Sequence, residues 1–376
     1  MRPKLLYLVS EDWYFVSHRL ALAVAARDAG YDVAVATRVR NEGPTIRNAG
    51  LRLIPIDFER ARISPFHEAR SLASLVSLYR RELPDLVHHV AVKPVIYGSI
   101  AARLAGVPSV VNALMGLGYV YSSPSPKARA LRPLVSVLLK TALSPNTART
   151  IVQNRDDHAL LRELGLAPPD SLRLVAGSGV DATAYTVVEP PKGPPIVLLP
   201  ARLLRAKGIF EFAEAARRLR EKGVVARFVL AGAPDPLNPG SVTDAELARL
   251  VSSGAVEAWG WRADLPAVLQ QSSLVCLPSY YGEGVPKSLI EAAASGRAIV
   301  TTDMPGCREI VRTGQNGWLV PPRNVDALAQ SIEEALSKPD LCRTYGLRGR
   351  QIVVEEYASE LVIAATLKVY AELRNR

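Results

Sequence analysis

No acidic residue occurs between Asp85 and Asp156 of this 376-residue chain. The same window carries Lys93, Arg103, Lys127, Arg129, Arg132, Lys140, Arg149 and Arg155. The bias belongs to the first half: 23 Lys/Arg stand against 15 Asp/Glu in residues 1–186, and 23 against 21 in the rest. An acid-free, basic surface is suited to meeting an anion. Nucleic acid and an anionic membrane are the two large candidates. Aromatics in the window are scarce, with only Tyr97, Tyr119 and Tyr121, which argues against a nucleic-acid stacking platform.

Cysteine is scarce too. Cys276, Cys307 and Cys342 are odd in number and widely spaced, which fits a reducing compartment and offers no metal spacing. No Asp-x-Asp occurs anywhere, so a metal-clamped diphosphate is not expected. No G-x-G-x-x-G follows the first strand-like run, which removes a dinucleotide-dependent dehydrogenase. Long apolar runs are missing. MRPKLLYLVSED meets acids at once and reads as a strand, not a signal peptide. The longest uncharged stretch, Leu104 to Pro126, contains Pro108, Asn112 and three glycines and makes a poor membrane span. Hydrophobic residues at 48% and charged residues at 22% describe a soluble globular protein, and the length predicts two domains.

Short runs rich in branched residues alternate with helical periods. LLYLV, YDVAVAT, LRLIPI, DLVHHV and PSVVN surround helical stretches at 16–29 and 68–82. PPIVLLP, ARFVLAG, VEAWG, SLVCLPS and RAIVTT alternate with helical stretches at 210–221, 244–253 and 286–295. That alternation predicts an α/β protein of two Rossmann-like, doubly wound domains. The joint is expected near TAYTVVEPPKGPP, residues 183–195, where prolines cluster. Ligands of such sheets bind outside the carboxyl ends of the strands, in a cleft that two facing sheets would share.

The second half holds a constellation of acids and cations. In YYGEGVPKSLIEAAASGRAIV, Pro286 suits the first helical position and Gly296 the stop. Gly284 and Val285 then offer free amides at a helix N-terminus, where the dipole is positive. Glu283 lies in the loop before it and Glu291 more than one turn inside. The two carboxylates reach different depths along one ligand, and each can accept from adjacent sugar hydroxyls. In LLPARLLRAKGIF, Arg202 and Lys207 follow a strand end and Gly208 opens a helix, which together form an anion site. Gly260-Trp261-Arg262 follows strand VEAWG and offers backbone amides to a flat base. GSGVD, residues 177–181, carries two glycines near the joint.

The order of these elements, closing on GQNGWLVPP, resembles the retaining glycosyltransferases of family 4, of the GT-B architecture, over nearly the whole chain. The resemblance implies that Arg202 and Lys207 hold the donor diphosphate and that Glu291 binds the nucleotide ribose. It implies that Glu283, Gly284 and Val285 bind the transferred sugar and that Gly260, Trp261 and Arg262 hold the base. Fixed cations and helix amides would stabilise the charge that develops on a departing diphosphate. Catalysis is thereby placed on Glu283, Arg202 and Lys207, with no metal and no cofactor. The resemblance favours UDP as the nucleotide.

In the first half, SEDWYFVSHR, HHVAVKPVIYG and LMGLGYVY resemble a bacterial subgroup that adds sugars to undecaprenyl-diphosphate-linked precursors, the N-acetylgalactosaminyltransferases of glycan assembly among them. A lipid diphosphate acceptor would account for the acid-free window. Arg19 and Lys93 are the expected partners of its diphosphate, with His18, His88 and Tyr97 beside them and His88 and His89 ending a strand at the cleft. PKARALRPLVSVLLKTALSP, residues 126–145, sets Leu131, Leu134, Val135, Leu138 and Leu139 beside Lys127, Arg129, Arg132 and Lys140. That is a basic amphipathic element suited to an interface.

The resulting expectation is a retaining, metal-independent transferase that moves an N-acetylhexosamine or hexose from a UDP-sugar to a polyprenyl-diphosphate-linked saccharide. It would work in the cytoplasm, peripheral on the anionic inner membrane surface. Residues 1–186 would bind acceptor and membrane, 187–360 the nucleotide sugar, and a helix over 361–376 would pack back on the first domain. Two other readings stay open: a nucleotide-sugar epimerase of the same architecture, which needs no lipid, and a non-catalytic binder of membrane or other anions, which needs no Glu283.

Overall fold

The computed structural model of the protein describes residues 2–58, 65–122 and 125–374. The chain divides into two compact units, Met1–Gly179 with Ser359–Arg376 and Val180–Ala358. The crossing at Gly179 falls before the proline-rich stretch, which runs over the second unit. There Arg350 donates to the carbonyls of Ala182 and Tyr185, and Arg297 to that of Val188.

The first unit opens with β1 (Lys4–Glu11), α1 (Asp12–Asp28), β2 (Asp32–Arg38), α2 (Gly43–Asn48) and β3 (Arg52–Pro55). It continues with α3 (Pro65–Glu82), β4 (Leu86–Val90), α4 (Val92–Ala105), β5 (Ser109–Leu114) and α5 (Gly118–Ser122). Then come α6 (Pro126–Leu143), β6 (Ala148–Val152), α7 (Arg155–Glu163) and β7 (Leu172–Leu174). The second unit holds β8 (Ile196–Pro200), α8 (Ile209–Glu221), β9 (Arg227–Ala231), α9 (Asp244–Ser252), β10 (Glu257–Gly260), α10 (Leu265–Gln271) and β11 (Leu274–Leu277). It ends with α11 (Lys287–Ala294), β12 (Ile299–Thr302), α12 (Cys307–Ile310), β13 (Gly317–Val320), α13 (Val325–Ser337) and α14 (Pro339–Ile352). Helix α15 (Ser359–Arg374) returns to the first unit.

Both sheets are parallel throughout. Their orders are β3-β2-β1-β4-β5-β6-β7 and β10-β9-β8-β11-β12-β13. Each order reverses once, at β1/β4 and at β8/β11, and a reversal opens a crevice at the carboxyl ends of the two strands.

The strands are nearly continuous apolar runs because helices cover both faces. In the first unit Leu5, Tyr7 and Val9 face Phe15 and Leu22 of α1 and Val369 and Tyr370 of α15. Leu6 and Leu8 face the other way, onto Leu75, Leu78 and Tyr79 of α3 and Ala101 of α4. Burial at this scale, about 25 cal/mol per Å² of apolar surface, is what holds α15 to a sheet formed far earlier in the chain.

Candidate active site

The crevice at β8/β11 is built by two loops that touch. After β8 the chain makes a 3-10 turn, Arg205–Lys207, and enters α8 through Gly208 in a left-handed conformation, φ +77°. A Cβ on Gly208 would lie 2.2 Å from the carbonyl oxygen of Pro278, so only glycine lets the two loops meet. The amide of Tyr280 and the hydroxyl of Ser279 both donate to the Ala206 carbonyl and fix the β11 loop there.

This contact sets Lys207 against Glu283. Lys207 Nζ lies 2.6 Å from both carboxylate oxygens, and Ser279 Oγ donates to Oε1 at 3.1 Å. The side chains are only 16% and 19% exposed. From beneath, Gly306 presses on the same loop: a Cβ there would fall 1.6 Å from the Gly284 carbonyl oxygen. The next residue, Cys307, is buried, and burial with the nearby Glu283 charge pushes its thiol up to about 12.

The other expected donor residues have partners of their own. Arg202 Nη1 donates to Asp235 at 2.8 Å. Arg262 forms a two-pronged pair with Asp264 at 2.7 and 2.6 Å, and Trp261 is 73% exposed at the end of β10. Pro286 caps α11 from outside instead of opening it, so Glu291 is the fifth helical residue. Glu291 is buried. Tyr185 donates to its Oε1 at 3.0 Å, and Lys287 lies 3.3 Å from the same oxygen. Burial raises the Glu291 carboxyl above its ordinary range, against the Lys287 charge and the Tyr185 hydroxyl, which favour the ionised form. Val285 is buried as well, so its side chain serves the loop's packing.

In the first unit the expected acceptor residues scatter. His88 and His89 do not end a strand in the open. Both are buried within β4, one facing each side of the sheet. His88 Nδ1 meets Tyr370 Oη at 2.6 Å, while His89 meets Tyr79 and Asn112 at 3.0 and 2.9 Å. Lys93 is engaged by Glu68, 2.9 Å away on α3, and lies over the rings of Phe58 and Tyr97. Tyr97 hydrogen-bonds the same Glu68. The acid-free stretch of sequence is therefore not an acid-free surface. His18 stacks on Tyr14, with ring centroids 4.1 Å apart. Arg19 is buried on α1, touching the His18 carbonyl and Met115 Sδ.

Helix α6 forms as expected, with Ser125 accepting from the Ala128 amide at its start. Its apolar side differs from the expected one. Leu139 is core, and Val135 and Leu138 pack against that core. Leu134 and Val137 are the outward pair, 59% and 63% exposed. Lys127, Arg129 and Lys140 are exposed beside them. Arg132 instead turns back to the Val120 carbonyl and the Tyr121 ring.

Two family models match separate halves of the chain: "Glycosyl transferase 4-like" over residues 4–154 and "Glycosyl transferases group 1" over residues 194–338. The chain belongs to the family-4-like glycosyltransferases. The transferase is 28% identical, over 94% of each chain, to an N,N'-diacetylbacillosaminyl-diphospho-undecaprenol alpha-1,3-N-acetylgalactosaminyltransferase of Campylobacter jejuni. It is 27% identical, over 72% of its own length and 71% of the other's, to a UDP-Gal:alpha-D-GlcNAc-diphosphoundecaprenol alpha-1,3-galactosyltransferase of Escherichia coli. In fold it is similar to sucrose-phosphate synthase from Thermosynechococcus elongatus, with a TM-score of 0.83 at 22% identity over 100% of both chains. Anabaena HepE in complex with UDP and glucose follows, at 0.79 and 17% over 98% and 99%. The fold is GT-B.

Several residues around the transferase's site gave no usable signal in sequence. Tyr185 reaches Glu291 from 106 positions away, out of the proline-rich segment. Asp235 sits 33 residues beyond Arg202 in a loop without a motif. Lys287 was legible, because a lysine four residues before a glutamate on a helix faces it.

Proposed function

We propose that this glycosyltransferase moves an N-acetylhexosamine or hexose from a UDP-sugar to a polyprenyl-diphosphate-linked saccharide, with retention and without a metal. The observation that carries the reading is the Lys207–Glu283 pair at the crevice of the second sheet. Glu283 neutralises Lys207. When a nucleotide diphosphate arrives, its doubled charge competes for the ammonium, and Glu283 is released to accept from the hydroxyls of the sugar. The charge that grows on the leaving diphosphate then meets Lys207, with Arg202 as the second cation, in a site already ordered for it. Glu283 is held to Lys207 and Ser279, which suits sugar positioning better than nucleophilic attack. Retention follows from front-face attack, the departing phosphate taking the acceptor's proton. Glu291, with Tyr185 and Lys287 behind it, holds the ribose. Gly260, Trp261 and Arg262 hold the base.

The acceptor class is supported by the two relatives named for diphosphoundecaprenol substrates, one of them matched over nearly its whole length. Among the described residues no helix is long and apolar enough to cross a membrane. The outer side of α6, with Leu134 and Val137 between Lys127, Arg129 and Lys140, supports docking on the cytoplasmic leaflet. The first unit then serves acceptor and membrane, and the second the donor. The test is nucleotide release from a panel of UDP- and GDP-sugars, with and without a polyprenyl-diphosphate sugar. Acceptor-dependent UDP release is expected. Release that ignores the lipid-linked acceptor would overturn the reading.

A further inference from the structure

Among the buried side-chain nitrogens of the first unit that lack a hydrogen-bond partner in the described residues are Arg19 Nε, His88 Nε2 and Gln153 Nε2. Their residues are 5%, 1% and 4% exposed. Native proteins pair nearly all such groups, so three on one side of one sheet call for a cause. They do share a side. Arg19 lies on α1 and touches Met115, which packs on the core beneath α1 and α15. His88 reaches Tyr370 of α15. Gln153 stands just past the end of β6, two residues beyond Ile151 of that same core. Leu114 pairs with Val152, so Met115 and Gln153 stand one residue past adjacent strand ends.

Arg19 is the unusual member. Its guanidinium has two bonds, to its neighbour's carbonyl at 3.2 Å and to a thioether at 2.6 Å, and no carboxylate among the described residues. Other buried arginines are compensated: Arg149 by Glu372 at 3.6 Å, Arg297 by the carbonyls of Leu269, Val188 and Gln270. A thioether is a weak acceptor. An oxyanion would displace it, because charge-assisted hydrogen bonds are about twice as strong as neutral ones.

His88 is held for the same purpose. Tyr7 Oη meets Tyr370 Oη at 2.8 Å, and Tyr370 Oη meets His88 Nδ1 at 2.6 Å. If the hydroxyls donate along that chain, Nδ1 accepts and Nε2 carries the hydrogen. Burial, reinforced by the Arg19 charge, keeps the ring neutral.

We propose that Arg19, Gln153 and His88 form a buried site for a phosphate group, with Tyr7 and Tyr370 as positioning residues that set the His88 tautomer. Resting on the proposed function, that group is the diphosphate of the lipid-linked acceptor. Free diphosphate shares the chemistry, and the probes separate the two. Calorimetry on the full chain, saturated with UDP to fill the donor site, compares inorganic pyrophosphate with farnesyl diphosphate. Both are expected to bind, the farnesyl ester more tightly. Equal affinities would assign the site to free diphosphate and overturn its lipid assignment. Arg19→Met should weaken farnesyl diphosphate at least 100-fold and Gln153→Leu about 10-fold. The empty Arg19→Met protein should melt no lower than the parent, since an uncompensated buried charge has been removed. Tyr370→Phe should move the His88 ¹⁵N resonances toward the other tautomer. A parent that binds neither probe, an Arg19→Met variant that binds as well, or one that melts lower would overturn the site. Transfer to a lipid-linked acceptor with an unchanged acceptor KM in Arg19→Met would sink the site and leave the proposed function standing. Arg19-dependent pyrophosphate binding without any transfer would do the reverse.

Discussion

Exchange of partners at Lys207 makes a prediction with a sign. Replacing Glu283 by Gln removes the charge that neutralises Lys207 but keeps the shape of the loop. At 2.6 Å and an effective dielectric of about 20, the raw attraction of the pair is roughly 6 kcal/mol. Desolvation offsets much of it, and breaking a buried pair costs about 3–5 kcal/mol. These side chains keep 16% and 19% of their exposure, so the low end of that range applies to Lys207→Met. Glu283→Gln should cost less, about 1–2 kcal/mol, because an amide oxygen still accepts from the ammonium.

Binding and turnover should then move in opposite directions. In Glu283→Gln the ammonium is no longer held by a carboxylate, so UDP should bind about tenfold tighter, a change of ~1.4 kcal/mol. Transfer should fall, because the sugar loses its charged anchor. Lys207→Met should weaken UDP and lower turnover by about 10²–10³, the scale for losing one preorganised charge stabiliser. Calorimetry with UDP, acceptor-dependent nucleotide release and urea unfolding read the three quantities. UDP affinity unchanged in Glu283→Gln, with only stability lost, would mean that the pair is a structural clasp and would refute the exchange.

Four further outcomes are expected. Gly306→Ala adds a Cβ 1.6 Å from the Gly284 carbonyl at φ +83°, so acceptor-dependent nucleotide release should collapse as the Glu283 loop is displaced; near-parental rates would show that the loop tolerates the shift. Asp157, buried at the start of α7, has its carboxyl raised from 3.8 to about 6 by burial. The folded form therefore binds the proton more tightly than the unfolded one, and about 3 kcal/mol of stability is lost as pH rises from about 4 to 6; urea midpoints should show a flatter slope there in Asp157→Asn, and an identical slope would contradict it. Neutralising Lys127, Arg129 and Lys140 together should weaken flotation with anionic vesicles by up to ~3 kcal/mol at roughly 1 kcal/mol each, an effect that shrinks with salt; adding Arg132→Gln should change little more, since that side chain is turned inward. Transfer should survive excess chelator, and loss in EDTA restored by Mg²⁺ or Mn²⁺ would contradict a site that relies on Lys207 and Arg202.

The fold was legible because its signal is periodic and local. Runs such as PPIVLLP and SLVCLPS are short, rich in branched residues and apolar throughout, which fits strands buried on both faces, and their alternation with helices points to parallel sheets. Part of the donor loops was legible because special backbone demands leave a mark in residue type: Gly208, read as the opening of a helix, stands where a Cβ has no room, whereas Gly306, equally constrained, drew no reading. The pairing of Lys207 with Glu283 was not legible. It joins residues 76 apart through the meeting of two loops, and each residue alone reads as an ordinary surface charge. The contact division between the units falls at Gly179, a few residues before the stretch where the prolines suggested a joint. Proline clustering marks an extended segment, and here that segment is tied down along the second unit by Arg350 and Arg297.

The acid-free window shows how charge in sequence differs from charge in space. Glu68, outside the window, crosses from α3 to engage Lys93. Glu372, more than two hundred residues later, lies beside buried Arg149. Arg132 folds onto its own neighbours. The excess that survives on α6 is at Lys127, Arg129 and Lys140, beside outward Leu134 and Val137. Arg19, which precedes the window and was expected to meet the acceptor diphosphate, is buried with a thioether where an acid would be expected. A cation removed from water without a counter-charge is expensive to keep. Its presence beside a histidine whose orientation is set from α15 puts the proposed demand for an anion in the interior of the first unit, apart from the exposed lysines of α6, whose proposed partner is a surface.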